Sequence, residues 1–258
     1  MALLEIQHLS VRFDGVQAIQ DVSLEIEPGQ LFALVGPNGA GKTTVFNCLS
    51  RICRQQRGEI HFKGQEISAL KPHQVPVMGI GRTFQNIELF SGLTTLQNIL
   101  LGRHLHTPSG LFDSLFFTPA ARRAEVEARR QAEEVIELLE LEAVRNEQTG
   151  NLPYGIRKRI ELGRALALKP ELLLLDEPAA GMNNEETEEL AWYINEVCRG
   201  LGIATLLVEH DMHLVMDLSD RVCVLNHGQV VTTGRPEAVQ QHPEVITAYL
   251  GAEHVAGG

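Results

Sequence analysis

Residues 31–43 read Leu31-Phe32-Ala33-Leu34-Val35-Gly36-Pro37-Asn38-Gly39-Ala40-Gly41-Lys42-Thr43, and this stretch decides the fold. Five apolar residues in succession suit a strand covered on both faces, as in a parallel sheet, rather than a half-exposed strand that alternates. The eight residues that follow fit the spacing GxxxxGK[ST]. Glycines let the main chain curl so that successive N–H groups converge on phosphate oxygens. The helix expected from Lys42 to Ser50 adds the positive end of its dipole. Lys42 has the reach for β- and γ-phosphates, and the Thr43 hydroxyl can ligate Mg²⁺. Thr44 follows in the same first turn. Gly36, Pro37, Asn38, Gly39, Ala40, Gly41, Lys42, Thr43 and Thr44 are therefore the candidate nucleotide-binding residues.

A second all-apolar run, Leu172 to Leu175, delivers Asp176 and Glu177. In open parallel sheets the carboxyl edge of the strands is where ligands bind. Asp176 is placed to hold Mg²⁺ through water, and Glu177, where the chain turns before Pro178, to accept a proton from attacking water. Upstream, Leu4–Ile6 and Val11–Phe13 read as short strands around a turn, and Val22–Ile26 alternates until Pro28-Gly29 closes it. Residues 121–144 are charge-rich, with Ala128, Ala132, Val135, Ile136 and Leu139 on one helical face and Glu125–Arg129 as a supporting i,i+4 pair. Those charges read as a solvated face. Asn184–Leu201 reads as a helix with Leu190, Ile194, Val197, Cys198 and Leu201 on one face and Asn183 or Asn184 as its cap. Strand Ile203–Val208, helix Met212–Leu218 and strands Val222–Leu225 and Val230–Thr232 complete an α/β pattern with a mostly parallel sheet.

Composition narrows the function. The chain has 258 residues, 44% hydrophobic and 21% charged, as in globular proteins. Its 22 basic against 33 acidic residues give a net charge of −11, which disfavours a nucleic-acid partner. No uninterrupted apolar run approaches the roughly 18 residues of a membrane span. The first residues lack the basic start and apolar block of a signal peptide, so a cytoplasmic location is expected. Cys48, Cys53, Cys198 and Cys223 form no CxxC pair and read as reduced core or helix thiols. His213 and the His104/His106 pair lack metal-site company.

With these features in order, the whole chain resembles the ATP-binding subunits of ABC transporters. The resemblance implies a P-loop NTPase cassette spanning 1–258. About 1–84 and 170–258 would form the catalytic core with an antiparallel β subdomain, and about 85–169 an inserted α-helical subdomain. Phe13 stands where the family stacks an aromatic on adenine. Gln85, in Arg82-Thr83-Phe84-Gln85, matches the glutamine loop, with an amide that can meet both metal and phosphate. Leu152-Pro153-Tyr154-Gly155-Ile156-Arg157-Lys158-Arg159 stands at the LSGGQ signature, where Leu152 and Gly155 match while Pro153, Tyr154 and Ile156 depart. What remains there is a helix N-terminus offering N–H groups at Tyr154 and Gly155, with Arg157, Lys158 and Arg159 set against its dipole, so that a nearby anion is expected. Ala179–Asn183 follows Glu177 as the family's D-loop does, and His210 matches the switch histidine that senses the γ-phosphate.

The departures in the signature, the run Asp176-Glu177-Pro178-Ala179-Ala180-Gly181-Met182-Asn183, the segment 102–119 and the tail 243–251 resemble the LivG-type cassettes of branched-chain amino acid uptake systems. Relatives serving urea or amide uptake or lipopolysaccharide export, and non-transport ATPases, are the alternatives. The resemblance implies an ATPase using ATP and Mg²⁺, with catalytic Glu177, His210 and Gln85, and with Thr43, Gln85 and Asp176 toward the metal. It implies a second cassette, identical or homologous, in a head-to-tail sandwich around ATP, and permease subunits holding the pair at the inner face of the cell membrane. Phe84, Phe90, Phe112, Phe116 and Phe117 cluster in residues 84–117 and suit either a docking groove for the permease or a local core.

Overall fold

The computed structural model describes residues 1–85, 87–103 and 119–247. Two sheets organise them. Strands β1 (Leu4–Phe13), β2 (Val16–Ile26), β4 (Arg57–Phe62) and β5 (Gln65–Glu66) form an antiparallel sheet in the order β2-β1-β4-β5. The second sheet has the order β10-β9-β3-β8-β7-β6, made of β3 (Leu31–Val35), β6 (Ile80–Arg82), β7 (Leu172–Asp176), β8 (Ala204–Val208), β9 (Arg221–Asn226) and β10 (Gln229–Gly234). All its pairs are parallel except β9–β10.

The all-apolar runs behave as two-faced strands. Every residue of β3 and β7 is buried. In β7, Leu172 and Leu174 pack into the core shared with the antiparallel sheet and α1 (Lys42–Leu49), whereas Leu173 and Leu175 point to the opposite core. This second core is covered by α2 (Thr95–Arg103), α3 (Pro119–Leu138), α4 (Tyr154–Leu166) and α5 (Asn184–Asn195). A third, smaller core joins Ala33 and Val35 of β3 and Val222 and Val224 of β9 to Val215 of α6 (Met212–Leu218) and Val239 of α7 (Pro236–Gln240). A last short helix, α8 (Pro243–Val245), adds Val245 to it. Replacing one of these buried leucines by alanine costs about 2–5 kcal/mol.

Three expectations change. Leu4–Ile6 and Val11–Phe13 are not separate strands: β1 runs through both, and the period-two pattern is broken by bulges against β2, with His8 at a left-handed φ of 52°. The charged helix ends at Leu138, and Glu142–Val144 is a separate 3₁₀ turn. Of the stripe read on this helix, Ala132 and Ile136 are buried and Ala128 and Val135 half-buried, while Leu139 is buried just past the helix end. Arg129, however, turns to Glu133 (Nε–Oε1 3.8 Å) rather than Glu125, while Arg130 pairs with Glu127 and Glu134. α5 is capped by Asn183, whose side chain accepts from Glu186 N at 3.0 Å while Glu186 accepts from Asn183 N at 3.1 Å. The helix closes in a π turn, Glu196–Gly200, which carries Val197 and Cys198 into the core.

Between β6 and β7 the described residues contain α2, α3, α4 and 3₁₀ turns and no strand. The first helix of this stretch, α2, begins thirteen residues beyond Arg82, which lies at the carboxyl edge of the parallel sheet. The same edge receives the ends of β3 and β7.

Candidate nucleotide site

β3 ends at Val35 and α1 starts at Lys42, so Gly36–Gly41 forms the loop between them. Its glycines are required by packing as well as by conformation. A Cβ on Gly36 would lie 2.3 Å from Leu225 O, and one on Gly41 (φ 107°) would lie 2.5 Å from Ile19 Cδ1 and 2.8 Å from Ala18 O. β2 and β9 thus hold the loop from behind. Gly41 caps α1 with no side-chain hydrogen bond, leaving the helix's first N–H groups without a side-chain acceptor. Lys42 is 6% exposed. Its Nζ donates to Gly36 O (2.7 Å) and Pro37 O (3.3 Å), which folds the ammonium over the loop. Burial lowers the Lys42 pKa, opposed by the nearby carboxylates of Glu177 and Asp176. Thr43, Pro37, Asn38 and Gly39 are exposed, and Thr44 is half-buried.

At the end of β7, Asp176 is buried and Glu177 half-buried. Glu177 sits at a left-handed φ of 48°, held there by its N–H on Val208 O at 2.9 Å. Asp176 accepts from Arg82 Nη2 at 3.1 Å. Arg82 is also fixed by Asn47 Oδ1 (3.0 Å) and Ser50 Oγ (3.0 Å) of the α1 region and lies against the rings of Phe46 and Phe84. Burial raises the Asp176 pKa, and the Arg82 charge opposes that rise. Gln85 Nε2 donates to Glu177 Oε2 at 2.7 Å. The glutamine and the carboxylate read independently from the sequence are therefore joined in one hydrogen bond, and Lys42 feels both acids.

The signature region is built differently from its reading. α4 begins at Tyr154 after Pro153, which supplies no side-chain cap. Arg157 is half-buried, while Lys158 and Arg159 are buried, so the three do not form a solvated basic turn awaiting an anion. Lys158 Nζ donates to Gln85 O at 2.9 Å and lies 3.8 Å from Glu161 Oε2. Arg159 Nη1 donates to Glu189 Oε1 and to the Tyr193 hydroxyl, both at 2.7 Å. The helix end itself faces an acid of the same chain: a Cβ on Gly155 would lie 2.7 Å from Glu186 Oε1. Tyr154 Oη donates to Ala180 O at 2.9 Å, and its ring covers Gly181. Tyr154 and Gly155 thus meet residues 180–186 rather than the phosphate loop of their own chain.

His210 is exposed and touches Glu209, with Nδ1 3.8 Å from Glu209 Oε2. Phe13 is 47% exposed at the tip of the β1–β2 hairpin, whose Ala18 and Ile19 back the phosphate loop. Two residues escaped the sequence reading. Arg82 is the clamp described above. Glu209, 1% exposed, accepts from Ala179 N (2.9 Å) and His210 N (3.1 Å) and so ties the segment after Glu177 to His210. Burial raises its pKa, opposed by those backbone donors. A charged residue closing the all-buried strand β8 was the available signal.

Phe84 lines a groove of about 390 Å³ with Ile52, Val75, Ile80, Leu101 and Leu168, while Phe90 is 59% exposed. Phe112, Phe116 and Phe117, with His104 and His106, lie outside the described residues, as do most of segment 102–119 and the end of the tail.

A buried parallel sheet, a phosphate loop at its carboxyl edge and paired acids on the neighbouring strand end define a nucleoside-triphosphate-binding ATPase. The chain belongs to the ABC transporter family, whose model matches residues 19–180. A second model, the branched-chain amino acid ATP-binding cassette transporter C-terminal family, matches 229–255. The chain is 43% identical to the high-affinity branched-chain amino acid transport ATP-binding protein LivG of Escherichia coli K12, over 96% of this chain and 98% of that protein. It is 42% identical to BraF of Pseudomonas aeruginosa over the same shares. Among solved structures, the ADP conformation of MJ1267, an ATP-binding cassette of an ABC transporter, superposes with a TM-score of 0.84 at 28% identity, covering 97% of this chain and 99% of that one. The chain is thus an ATP-binding cassette, an ATPase that drives transport. Among the described residues no helix is long and apolar enough to cross a membrane.

Proposed function

We propose that this cassette powers uptake of branched-chain amino acids, working as one of two cassettes that close head to tail on ATP beneath a permease. The observation that carries the catalytic part is the meeting of Lys42, Asp176, Glu177 and Gln85 at one sheet edge. The cargo rests on the relatives named LivG and BraF.

In this reading the N–H groups of Gly36–Thr44 and the Lys42 ammonium bind the β- and γ-phosphates, and Phe13 stacks on adenine. Thr43, Gln85 and Asp176 offer an all-oxygen donor set, which fits Mg²⁺. Mg²⁺ keeps several water and phosphate ligands, so a few protein oxygens suffice. Mg²⁺, when bound, neutralises charge on the phosphate oxygens. Glu177 orients water and takes its proton. The hydrogen bond to Glu177 uses the Gln85 amide N–H and leaves its carbonyl oxygen for the metal. Tyr154 and Gly155 of the opposite cassette would complete the site, and His210 would contact the γ-phosphate. Permease subunits would dock on the groove beside Phe84 and hold the cassettes on the cytoplasmic side.

Glu177→Gln should lower ATP hydrolysis roughly 10²–10⁴-fold while ATP affinity persists and a dimer accumulates on gel filtration. Parental hydrolysis would remove Glu177 from its role. Liposomes containing the cassette with its permease partners should accumulate leucine with ATP; uptake of urea instead would reassign the cargo and leave the ATPase reading intact.

A further inference from the structure

The phosphate-loop helix carries a thiol pair unrelated to nucleotide chemistry. Cys48 sits in the last turn of α1 and is buried, while Cys53 lies half-buried in the segment that follows. The backbone brings them together. Ser50 closes the helix through its N–H and hydroxyl on Phe46 O, both at 2.9 Å, and Arg51 takes a left-handed φ of 59°. The chain then folds back until Cys53 N donates to Asn47 O at 3.1 Å. The two sulfurs end 3.2 Å apart, and Cys53 Sγ lies 3.8 Å from Thr44 O. Cys198 and Cys223 are buried elsewhere, in the π turn Glu196–Gly200 and within β9.

We propose that Cys48 and Cys53 form an oxidisable dithiol whose substrate is a hydroperoxide and whose product is an intrachain disulfide at the end of the phosphate-loop helix. Main-chain hydrogen bonds hold the pair at contact, so closure needs only side-chain adjustment. The order follows from access. Cys53, the more exposed sulfur, attacks the peroxide as thiolate, forming a sulfenic acid and releasing one water after protonation. Cys48 Sγ then attacks Cys53 Sγ, its proton leaves with the departing hydroxide as a second water, and the S–S bond forms. Two thiols and one hydrogen peroxide thus give one disulfide and two waters, the peroxide taking both electrons. Burial, and then the neighbouring Cys53, hold the Cys48 thiol well above the ordinary range, which argues against Cys48 as the initiating sulfur.

The test uses the full, reduced chain treated with one equivalent of hydrogen peroxide and then alkylated in denaturant. Titratable thiols should fall from four to two, with a Cys48–Cys53 linked peptide by mass spectrometry that dithiothreitol releases. Cys53→Ser should lose the link and keep Cys48 open to alkylation. Four remaining thiols would overturn the proposal, as would a bridge to Cys198 or Cys223, or Cys53 oxidised to sulfinic acid with Cys48 free.

Discussion

Two of the helix N-termini without a side-chain cap, at Gly41 and at Pro153, bear comparison. At the first, no side chain among the described residues caps the end; its lysine folds over backbone carbonyls, and its glycines are pressed from behind by β2 and β9. At the second, Glu186 stands against Gly155 and Tyr154 is hydrogen-bonded to Ala180. An uncapped end invites an anion; the first is an open loop, while beside the second stands the Glu186 carboxylate, which accepts from Asn183 N. The two ends differ in their own geometry, Gly41 being left-handed (φ 107°) and Pro153 extended (φ −52°, ψ 156°), as well as in what surrounds them.

Lys42→Ala probes the open end and carries the largest effect. Losing a charge-assisted contact worth about 1.5–3 kcal/mol lowers ATP affinity roughly 10- to 150-fold, read by calorimetry. Unchanged affinity would erase the contrast between the two ends.

A pH series sharpens the view of the acid-lined side. The folded-state pKa of Glu209 is raised above its unfolded value by burial, so between those two values the native state binds the extra proton. Stability is then highest at low pH within this window and falls as pH rises through it. Glu209→Gln, which keeps an acceptor for Ala179 N, should flatten that fall in denaturant melts from pH 4 upward (about the unperturbed Glu value). A steeper fall in the variant would contradict the assignment.

Tyr154→Phe gives the smallest change. Removing the hydroxyl from Ala180 O costs about 0.5–1.5 kcal/mol of stability, and ATP affinity of the isolated chain stays at the parental value. A drop in that affinity would mean that the second end serves its own subunit's phosphate loop.

The contrast also separates what was legible from what was not. Buried strands and the phosphate loop announce themselves because each depends on local pattern: five apolar residues, then glycines at fixed spacing. Strands β3 and β7 and helix α6 fall where periodicity puts them. β1 was split in two because a bulge at His8 shifts the alternation while pairing continues. The basic run Arg157–Arg159 misled for a different reason. Sequence shows charge but not its partners, and those partners, Gln85 O and Glu189, lie 73 and 30 residues away in the chain. Arg82 and Glu209 were invisible as functional residues because their meaning comes from the strand ends they join. Lys158 was seen, with the wrong neighbour.

That neighbour has a mechanical consequence. α4 grips the glutamine loop twice through its main chain, at Gln85 O by Lys158 and at Phe84 N by Glu161 Oε1, 3.4 Å away. Both bonds hold main chain rather than side chain, so a displacement of α4 would strain residues 84 and 85 and with them the Gln85–Glu177 hydrogen bond.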